Sequence, residues 1–152
     1  MEIRKYTSGD LSEILKLFCD TVRTVNARDY TPEQIGAWVS NIDAQRWDSS
    51  LSEHYSLVAV IDGKIVGFGD MDDSGYLDRL YVHADYQRRG IAAAICGRLE
   101  QYAASINADK IVTHASITAK PFFEKLGYVV IKEQQVERVG VLLINYVMER
   151  SL

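Results

Sequence analysis

One short run of residues carries the clearest chemical signal in the sequence, Gln87-Arg88-Arg89-Gly90-Ile91-Ala92. It stands between a stretch with strand character and a stretch with helical periodicity, so it predicts a turn that opens a helix. The first amides of a helix lack partners within the helix and carry partial positive charge, which favours an anion such as a pyrophosphate. Gly90 would let that anion approach the backbone without a Cβ in the way. Arg88 and Arg89 add formal positive charge.

The first third of the chain predicts a strand followed by helices. Met1 to Tyr6 has strand character, and apolar residues at helical spacing from Leu11 to Val25 indicate an amphipathic helix. Thr31-Pro32-Glu33-Gln34 offers a cap, a proline at the first helical position and a glutamine three residues after the cap, so it predicts a second helix. Asp43 to Glu53 is polar, and we expect it to be irregular.

Three strands lead into the turn at Gly90. Tyr55 to Ile61 and Lys64 to Asp70 flank Asp62-Gly63, a pair that favours the tight turn of a β-hairpin. Tyr76 to His83 follows as the third strand of an antiparallel meander.

The remaining segments complete a mixed sheet. A helix from Gly90 separates the meander from a short strand over Lys110 to His114, and a strand–helix–strand order predicts parallel pairing of the flanking strands. Thr118 to Leu126 predicts a short helix, and Tyr128 to Val136 with Val141 to Met148 predict a final hairpin. We therefore expect an α/β fold with a mixed, mostly antiparallel sheet of six to seven strands and about four helices, in one domain over residues 1–152.

The composition argues against several classes of protein. The chain has 152 residues, of which 47% are hydrophobic, and a formal net charge of −4, which disfavours a nucleic-acid partner because phosphate binding needs a basic surface. No apolar run is long enough to cross a membrane, and the N-terminus lacks the apolar stretch of a signal peptide, so we expect a cytoplasmic protein without a membrane partner. The two cysteines and three histidines lack ligand spacing, so no metal site is expected.

Three segments together resemble the GCN5-related N-acetyltransferase (GNAT) superfamily. Gln87 to Ala92 is similar to its Gln/Arg-x-x-Gly-x-Gly/Ala motif, and Leu77 to His83 is similar to the strand that precedes this motif. Ala119 with Phe122 to Tyr128 resembles a later segment of the superfamily. The order of elements matches over essentially the whole chain, and Ala115 to Phe123 is most similar to the YafP-like group.

The resemblance implies an acetyl-CoA-dependent N-acetyltransferase that moves an acetyl group to a primary amine, first of all on a small molecule, by direct transfer in a ternary complex. In the superfamily the strand before the motif splays from its neighbour and pairs with the pantetheine arm, here through Leu80 and Val82. The Val82 amide would also polarise the thioester carbonyl. The residues implied to bind acetyl-CoA are Leu80, Tyr81, Val82, Gln87, Arg88, Arg89, Gly90, Ile91, Ala92, Ala93 and Phe122.

Asp78 is the first candidate for the proton acceptor. A side-chain amine has a pKa of about 10, so it arrives protonated and must lose a proton before it attacks the thioester. Asp78 lies on the strand beside the expected thioester position, and Tyr76 is two residues earlier, so the two side chains should share a face. A salt bridge, for instance with Arg79 or a helix residue, explains Asp78 more simply.

The proton donor for the leaving thiolate is left open by the sequence. In the superfamily a tyrosine often supplies this proton, and the matching position here is Phe123, which cannot. Ser116 could donate it directly or through water, or could be only a hydrogen bonder at the start of the next helix. The thiolate could also leave unassisted, since a comparable free thiol has a pKa of about 8.5.

Two further groups of residues could serve the acceptor. An aromatic set near the first two helices could line its pocket, although core packing explains the tryptophan better: Tyr30, Trp38 and Tyr55. An acidic set could attract a cationic substrate or form the solvated rim of a turn: Asp70, Asp72 and Asp73.

Phe123 also motivates a second class of function, an acyl-CoA-binding sensor or partner module that has lost efficient chemistry. A third alternative is an enzyme that acts on a protein or peptide amine, which needs an open groove. A homodimer is compatible with all three alternatives.

Overall fold

Seven strands form one sheet and five helices cover it in the computed structural model, which describes residues 1–152. The strands are β1 (Glu2–Lys5), β2 (Tyr55–Ile61), β3 (Lys64–Met71), β4 (Tyr76–Val82), β5 (Lys110–Ser116), β6 (Val129–Arg138) and β7 (Val141–Ser151). The helices are α1 (Leu11–Thr24), α2 (Pro32–Trp38), α3 (Ala44–Glu53), α4 (Ile91–Ser105) and α5 (Lys120–Lys125). The strand order is β1-β2-β3-β4-β5-β7-β6, and only β4 and β5 pair in parallel, which confirms the predicted fold class.

Both predicted hairpins are present, and both close on residues with positive φ. Asp62 has a φ of 51° and Gly63 a φ of 76°, the conformation that a two-residue hairpin turn requires at its central positions. Val139 (φ 50°) and Gly140 (φ 76°) close the second hairpin in the same way. That hairpin is longer than predicted, because β6 and β7 remain paired at both ends.

The segment predicted to be irregular is helical, so that expectation was wrong. Asp43 caps α3, since its carboxylate accepts a hydrogen bond from the backbone amide of Arg46 at 3.2 Å. Only two large apolar residues anchor the helix to the core. Leu51 is 2% exposed, and the ring of Trp47 lies 4.9 Å from that of Phe18. Two anchors one helical turn apart suffice for a helix of ten residues.

The sheet separates two hydrophobic cores, and its faces are named here after the helices that cover them. On the α4 face, α4 and α5 bury Ile95, Leu99 and Phe123 against the strands. On the α1 face, helices α1 to α3 pack against the ring of Phe68 and its neighbours. A site that needs access from both faces therefore has to pass through the sheet.

Two glycines of β3 allow α4 to approach the sheet closely. A Cβ on Gly67 would lie 3.0 Å from Cγ2 of Ile91, and a Cβ on Gly69 would lie 3.0 Å from Cγ2 of Ile95. Both distances are shorter than ordinary van der Waals contact. The absence of side chains at Gly67 and Gly69 therefore fixes how near the first turn of α4 lies to β3 and β4.

The sheet opens between β4 and β5. The two strands pair only at Tyr76 with Val112 and at Leu77 with Thr113, which confirms the predicted parallel pairing over a short length. The hydroxyl of Thr113 donates to the carbonyl of Leu77 at 2.9 Å, which satisfies that carbonyl where the strands begin to separate. Beyond this point β4 stays paired with β3, and β5 stays paired with β7. We call the gap between Asp78–Val82 and His114–Ser116 the fork.

Candidate active site

A cavity of about 780 Å³ occupies the fork and connects the two faces of the sheet. Near the start of α4 its walls come from the turn before the helix, from the first turn of α4 and from α5. Towards the α1 face they come from α1, α2 and the β6–β7 hairpin. The wall residues that matter below are Thr21, Tyr30, Trp38, Tyr76, Asp78, Leu80, Val82, Gln87, Arg88, Gly90, Ile91, Ala92, Ala93, Ser116, Phe122, Phe123, Lys125 and Arg138.

The start of α4 faces this cavity without a side-chain cap. Gly90 is the residue before the helix and has a left-handed conformation with a φ of 77°, as glycine tolerates readily. A Cβ at Gly90 would meet no atom within 4 Å, so the space beside it is open. The free amides of the first turn are therefore available to an anion in the cavity.

Some side chains of the Gln87–Ala92 motif line the cavity, and others lie on the surface. Gln87 turns back towards β4, where its side-chain amide donates to the carbonyl of Val82 at 2.7 Å. Arg88 lines the cavity, whereas the guanidinium of Arg89 lies 4.9 Å from the centre of the Tyr86 ring and forms no part of the wall. Of the two arginines in the motif, the structure brings only Arg88 into the cavity.

The free edge of β4 faces the fork. The amide of His83 donates to the carbonyl of Val66 on β3 at 2.8 Å. Because alternate residues of a strand point their backbone groups to opposite sides, the amides of Leu80 and Val82 face the fork instead. The carbonyl of Val82 is held there by the hydroxyl of Thr21 at 3.2 Å as well as by Gln87. Helix α1 and the turn thus both fix the peptide at Val82.

Tyr81 takes a different place from the other residues implied for the cofactor. Its ring lies on the α1 face, 4.9 Å from Phe18 and 5.7 Å from Phe68. Burial raises the pKa of its phenol to about 12, so the hydroxyl stays protonated at neutral pH. Its side chain lines the cavity on the α1 face rather than at the end near α4.

Asp78 and Tyr76 both line the cavity, as the two-residue spacing predicted. The carboxylate of Asp78 is 31% exposed and lies 3.6 Å from the guanidinium of Arg79. Burial raises the pKa of Asp78, although the charge of Arg79 opposes that rise. Tyr76 packs edge-on against the ring of His114, with 5.3 Å between the centres, and burial raises the pKa of its phenol to about 12. Asp78 is thus the better proton acceptor of the two.

Ser116 and Phe123 stand together at the wall near α5. The oxygen of Ser116 accepts a hydrogen bond from the amide of Ala119 at 3.0 Å, which is the helix-start role considered from sequence. Its own proton remains available to a group in the cavity. Phe123 is 2% exposed and its ring packs between those of Phe122 and Tyr128, at 5.2 and 5.0 Å.

Two of the three aromatic residues proposed for an acceptor pocket are in the cavity wall. The hydroxyl of Tyr30 donates to the carbonyl of Ile144 at 2.7 Å and accepts from the amide of Ile117 at 2.9 Å. The ring of Trp38 lies edge-on to it at 5.0 Å. The placement of Tyr55 was wrong, because its ring stacks on Tyr102 of α4 at 4.2 Å and lies outside the cavity.

The interpretation of Asp70 as part of a solvated rim was also wrong. Asp70 is 0% exposed, and one of its oxygens accepts from Arg79 at 2.6 Å and lies 2.7 Å from Nδ1 of His54. Arg79 also donates to the hydroxyl of Ser50 at 3.0 Å and lies over the Trp47 ring at 4.7 Å. This buried ionic cluster lies directly behind Asp78.

The charges on the cavity wall are unequal in number. Three cationic side chains, Arg88, Lys125 and Arg138, line it together with a single carboxylate, that of Asp78. The cavity is thus basic and suits an anionic ligand, although the whole chain carries a net charge of −4. Lys125 and Arg138 were missed from sequence, since neither stands in a motif and both reach the cavity only through the fold.

Comparisons with known proteins agree with this geometry. The model of the acetyltransferase (GNAT) domain family matches residues 26–150. The N-acetyltransferase YafP of Escherichia coli (strain K12) is 36% identical over 148 residues, which cover 97% of this chain and 94% of YafP. A GCN5-related N-acetyltransferase from Rhodopseudomonas palustris superposes with a TM-score of 0.96 at 32% identity, covering 99% and 95% of the two chains.

A more distant structure contains a ligand. The PaiA N-acetyltransferase from Thermoplasma acidophilum, solved in complex with coenzyme A, has a TM-score of 0.81 at 18% identity and covers 99% of this chain and 98% of its own. The family match and the full-length relatives establish that this chain belongs to the GNAT family of N-acetyltransferases.

None of the five helices combines the length and the apolar character that crossing a membrane would require.

Proposed function

We propose that the protein transfers the acetyl group of acetyl-CoA directly to a primary amine held in the same cavity. The single observation that carries this proposal is the cavity through the fork, with an uncapped helix start at one end and the carboxylate of Asp78 at the other. The helix start thus offers partial positive charge to an anionic cofactor, and Asp78 offers negative charge to a cationic amine.

The cofactor would bind along the free edge of β4. The amides from Arg88 to Ala93 would hold the pyrophosphate, with Arg88 and Lys125 as the charged partners from the cavity wall. The backbone of Leu80 would pair with the pantetheine arm, whereas the carbonyl of Val82 already accepts from Gln87 and Thr21 and its amide would face the thioester. Phe122 lines the same end of the cavity and would contact the arm through its ring.

The reaction needs a proton transfer from the amine, attack of the amine on the thioester carbon, and departure of the sulfur. Asp78 takes a proton from the ammonium group, and the freed nitrogen attacks the thioester carbonyl, whose oxygen accepts a hydrogen bond from the amide of Val82. The new C–N bond forms, the C–S bond breaks, and sulfur leaves with the electron pair of that bond. The nitrogen then loses its second proton and the sulfur gains one, so the proton taken by Asp78 is the one that each turnover releases.

Ser116 is the donor that we assign to the leaving sulfur. Its oxygen is anchored by the amide of Ala119, so its hydroxyl proton can point only away from that amide, and the side chain lines the cavity. Phe123, at the position where the superfamily often has tyrosine, offers no proton. Ser116 would act directly or through one water molecule.

The acceptor would enter on the α1 face. Tyr30 and Trp38 provide an aromatic wall there, and the two hydrogen bonds of the Tyr30 hydroxyl hold that wall against β7 and the loop that follows β5. Walls fixed in this way favour a small molecule over a protein chain, because a wall that cannot move restricts the size of its ligand.

Calorimetric titration with acetyl-CoA tests the cofactor site. A Gly90→Glu variant should lose binding, because it puts a carboxylate and a strained left-handed residue beside the expected pyrophosphate. Gly90→Ala separates the strain from the charge and should bind less tightly than the wild type but better than Gly90→Glu. Gly36→Glu, with open space around its Cβ on α2, adds the same charge elsewhere and should bind normally. Tight binding by Gly90→Glu would refute this placement of the cofactor.

A second candidate function, an acyl-CoA sensor, is favoured by Phe123 alone. Thiol release in the presence of polyamines, aminoglycosides, amino acids, 2-phenylethylamine and a lysine peptide distinguishes the two. An enzyme should release thiol with at least one of these amines. A protein that binds acetyl-CoA and stays silent across the panel would be a sensor.

A further inference from the structure

The ionic cluster behind Asp78 connects the cavity to the protein surface. A ring nitrogen of His54, a carboxylate oxygen of Asp70 and one of Asp78 all lie within 4.8 Å of one another. Asp70 is fully buried, Asp78 faces the cavity, and the ring of His54 is 21% exposed at the end of α3. The three groups thus form a short path from the cavity to solvent.

These residue types could also hold a metal ion, but the cluster already contains its cation. The guanidinium of Arg79 lies 2.6 Å from an oxygen of Asp70 and 3.6 Å from an oxygen of Asp78. A divalent ion between these carboxylates would lie next to that fixed positive charge, which opposes its binding. The geometry therefore favours a role in moving protons.

A proton acceptor enclosed by its substrates needs a second way out. Asp78 reaches water through the cavity, and acetyl-CoA and an amine would fill that cavity during the reaction. Each turnover of the proposed transfer releases one proton. Unless Asp78 passes that proton on, it stays protonated and cannot accept the next one.

We propose that His54 takes the proton from Asp78 and delivers it to solvent behind the cavity, and that Asp70 is the positioning residue that orients the His54 ring. This inference rests on the proposed acetyl transfer. A separation of up to 4.8 Å is what one bridging water spans, since two hydrogen bonds of about 2.8 Å meet at its oxygen. The 2.7 Å contact between Nδ1 and Asp70 fixes the orientation of the ring, and the imidazole can gain and lose its second proton through water.

The charges around His54 favour its taking up a proton. Asp70 and Asp78 carry two negative charges against one positive charge on Arg79, so a proton on His54 brings these four groups to neutrality. Asp72 is the other acidic group whose charge interacts with His54. The hydrogen bond to Asp70 raises the pKa of His54, with partial opposition from burial and from Arg79. The pKa of His54 thus lies above the ordinary histidine value of about 6.5.

The test compares His54→Asn, His54→Ala and the wild type in the full-length protein, with the amine of the panel that gives the fastest thiol release. Asparagine can keep a hydrogen bond to Asp70 but cannot titrate, so His54→Asn retains the structure and loses the relay. We expect kcat to fall about tenfold, less than the 100-fold to 10,000-fold typical of a direct acid–base group. The KM for acetyl-CoA should not change, and the limb of the pH–rate profile that belongs to His54 should disappear.

Rescue by imidazole separates the relay from a structural effect. Free imidazole should restore part of kcat in His54→Ala, in proportion to the concentration of its neutral form, and should leave the wild type unchanged. Ser52→Ala, an exposed position two residues away, is the control and should match the wild type in all readouts.

Three results would overturn the inference. Wild-type kcat and an unchanged pH profile in His54→Asn would show that His54 carries no proton, while acetyl transfer by the wild type stands. A loss of kcat that imidazole leaves unrestored and that follows a loss of thermal stability would show a purely structural role. If no amine supports thiol release although acetyl-CoA binds, the proposed transfer fails and the relay fails with it.

Discussion

Replacing Asp78 by asparagine tests the proposed chemistry most directly. The two side chains have nearly the same shape, so the change removes the proton acceptor and leaves the cavity intact. An asparagine amide cannot take a proton from an ammonium group, so the Asp78→Asn variant should use only amine that has already lost its proton in solution.

The size of the effect should depend on pH. An amine of pKa about 10 is about 0.1% neutral at pH 7 and about 10% neutral at pH 9. A direct acid–base group contributes about 100-fold to 10,000-fold. We expect the lower end, because the small fraction of amine that is already neutral can react in the variant without a base. The rate should therefore fall about 100-fold at pH 7 and come within a few-fold of the wild type at pH 9.

The assay is initial-rate thiol release between pH 6 and 9.5 with saturating acetyl-CoA. Asp73→Asn is the matched control, since it removes the same charge from an exposed position in the β3–β4 turn and should behave as the wild type. Calorimetry should show normal binding of acetyl-CoA by both variants. Parallel pH–rate curves for Asp78→Asn and the wild type, at any ratio, would refute the assignment of Asp78 as the base.

Three further predictions concern packing, proton donation and charge. Gly69→Ala should lower the free energy of unfolding by about 1–3 kcal/mol in urea titrations and weaken acetyl-CoA binding, because the new Cβ would push α4 away from β3 at Ile95. Ser116→Ala should lower kcat about tenfold because it removes the proton donor, and it should lower the free energy of unfolding because it removes the hydrogen bond to the Ala119 amide. Phe123→Tyr in that background should restore kcat but not stability. Recovery of both, or of neither, would contradict the role of Ser116. The hydrogen bonds from Arg4 lower the pKa of Asp10, so Asp10→Asn should lower the free energy of unfolding by about 1–2 kcal/mol at pH 6. This difference from the wild type should shrink as the pH falls below about 4 and through the folded-state pKa, because Asp10 itself then becomes protonated. An equal difference at pH 3 and pH 6 would contradict the assignment.

Features that depend on local chemistry could be predicted from the sequence. The turn at Asp62-Gly63, the helix start at Thr31 and the glycine before α4 each follow from the conformational preferences of a few neighbouring residues. The cofactor end of the candidate site belongs to this class, because backbone amides at a helix start form it and their position follows from the turn.

Features that depend on distant partners could not be predicted. Asp70 looked like a surface residue, since the groups that neutralise it are 9 and 16 residues away and meet it only across the sheet. Helix α3 was missed because its stability comes from two anchors in the core rather than from an apolar stripe. Tyr55 was misplaced because sequence proximity to a helix does not tell on which face of a strand a side chain lies.

The passage of the cavity through the sheet also has a kinetic consequence. Because acetyl-CoA and the amine would arrive from opposite faces, neither would need to leave before the other could enter. Double-reciprocal plots should then intersect, and spent coenzyme A should be able to occupy its end while a fresh amine waits at the other, giving a stalled complex at high amine concentration. Inhibition by excess amine that persists at saturating acetyl-CoA is therefore expected of a cavity with two entrances.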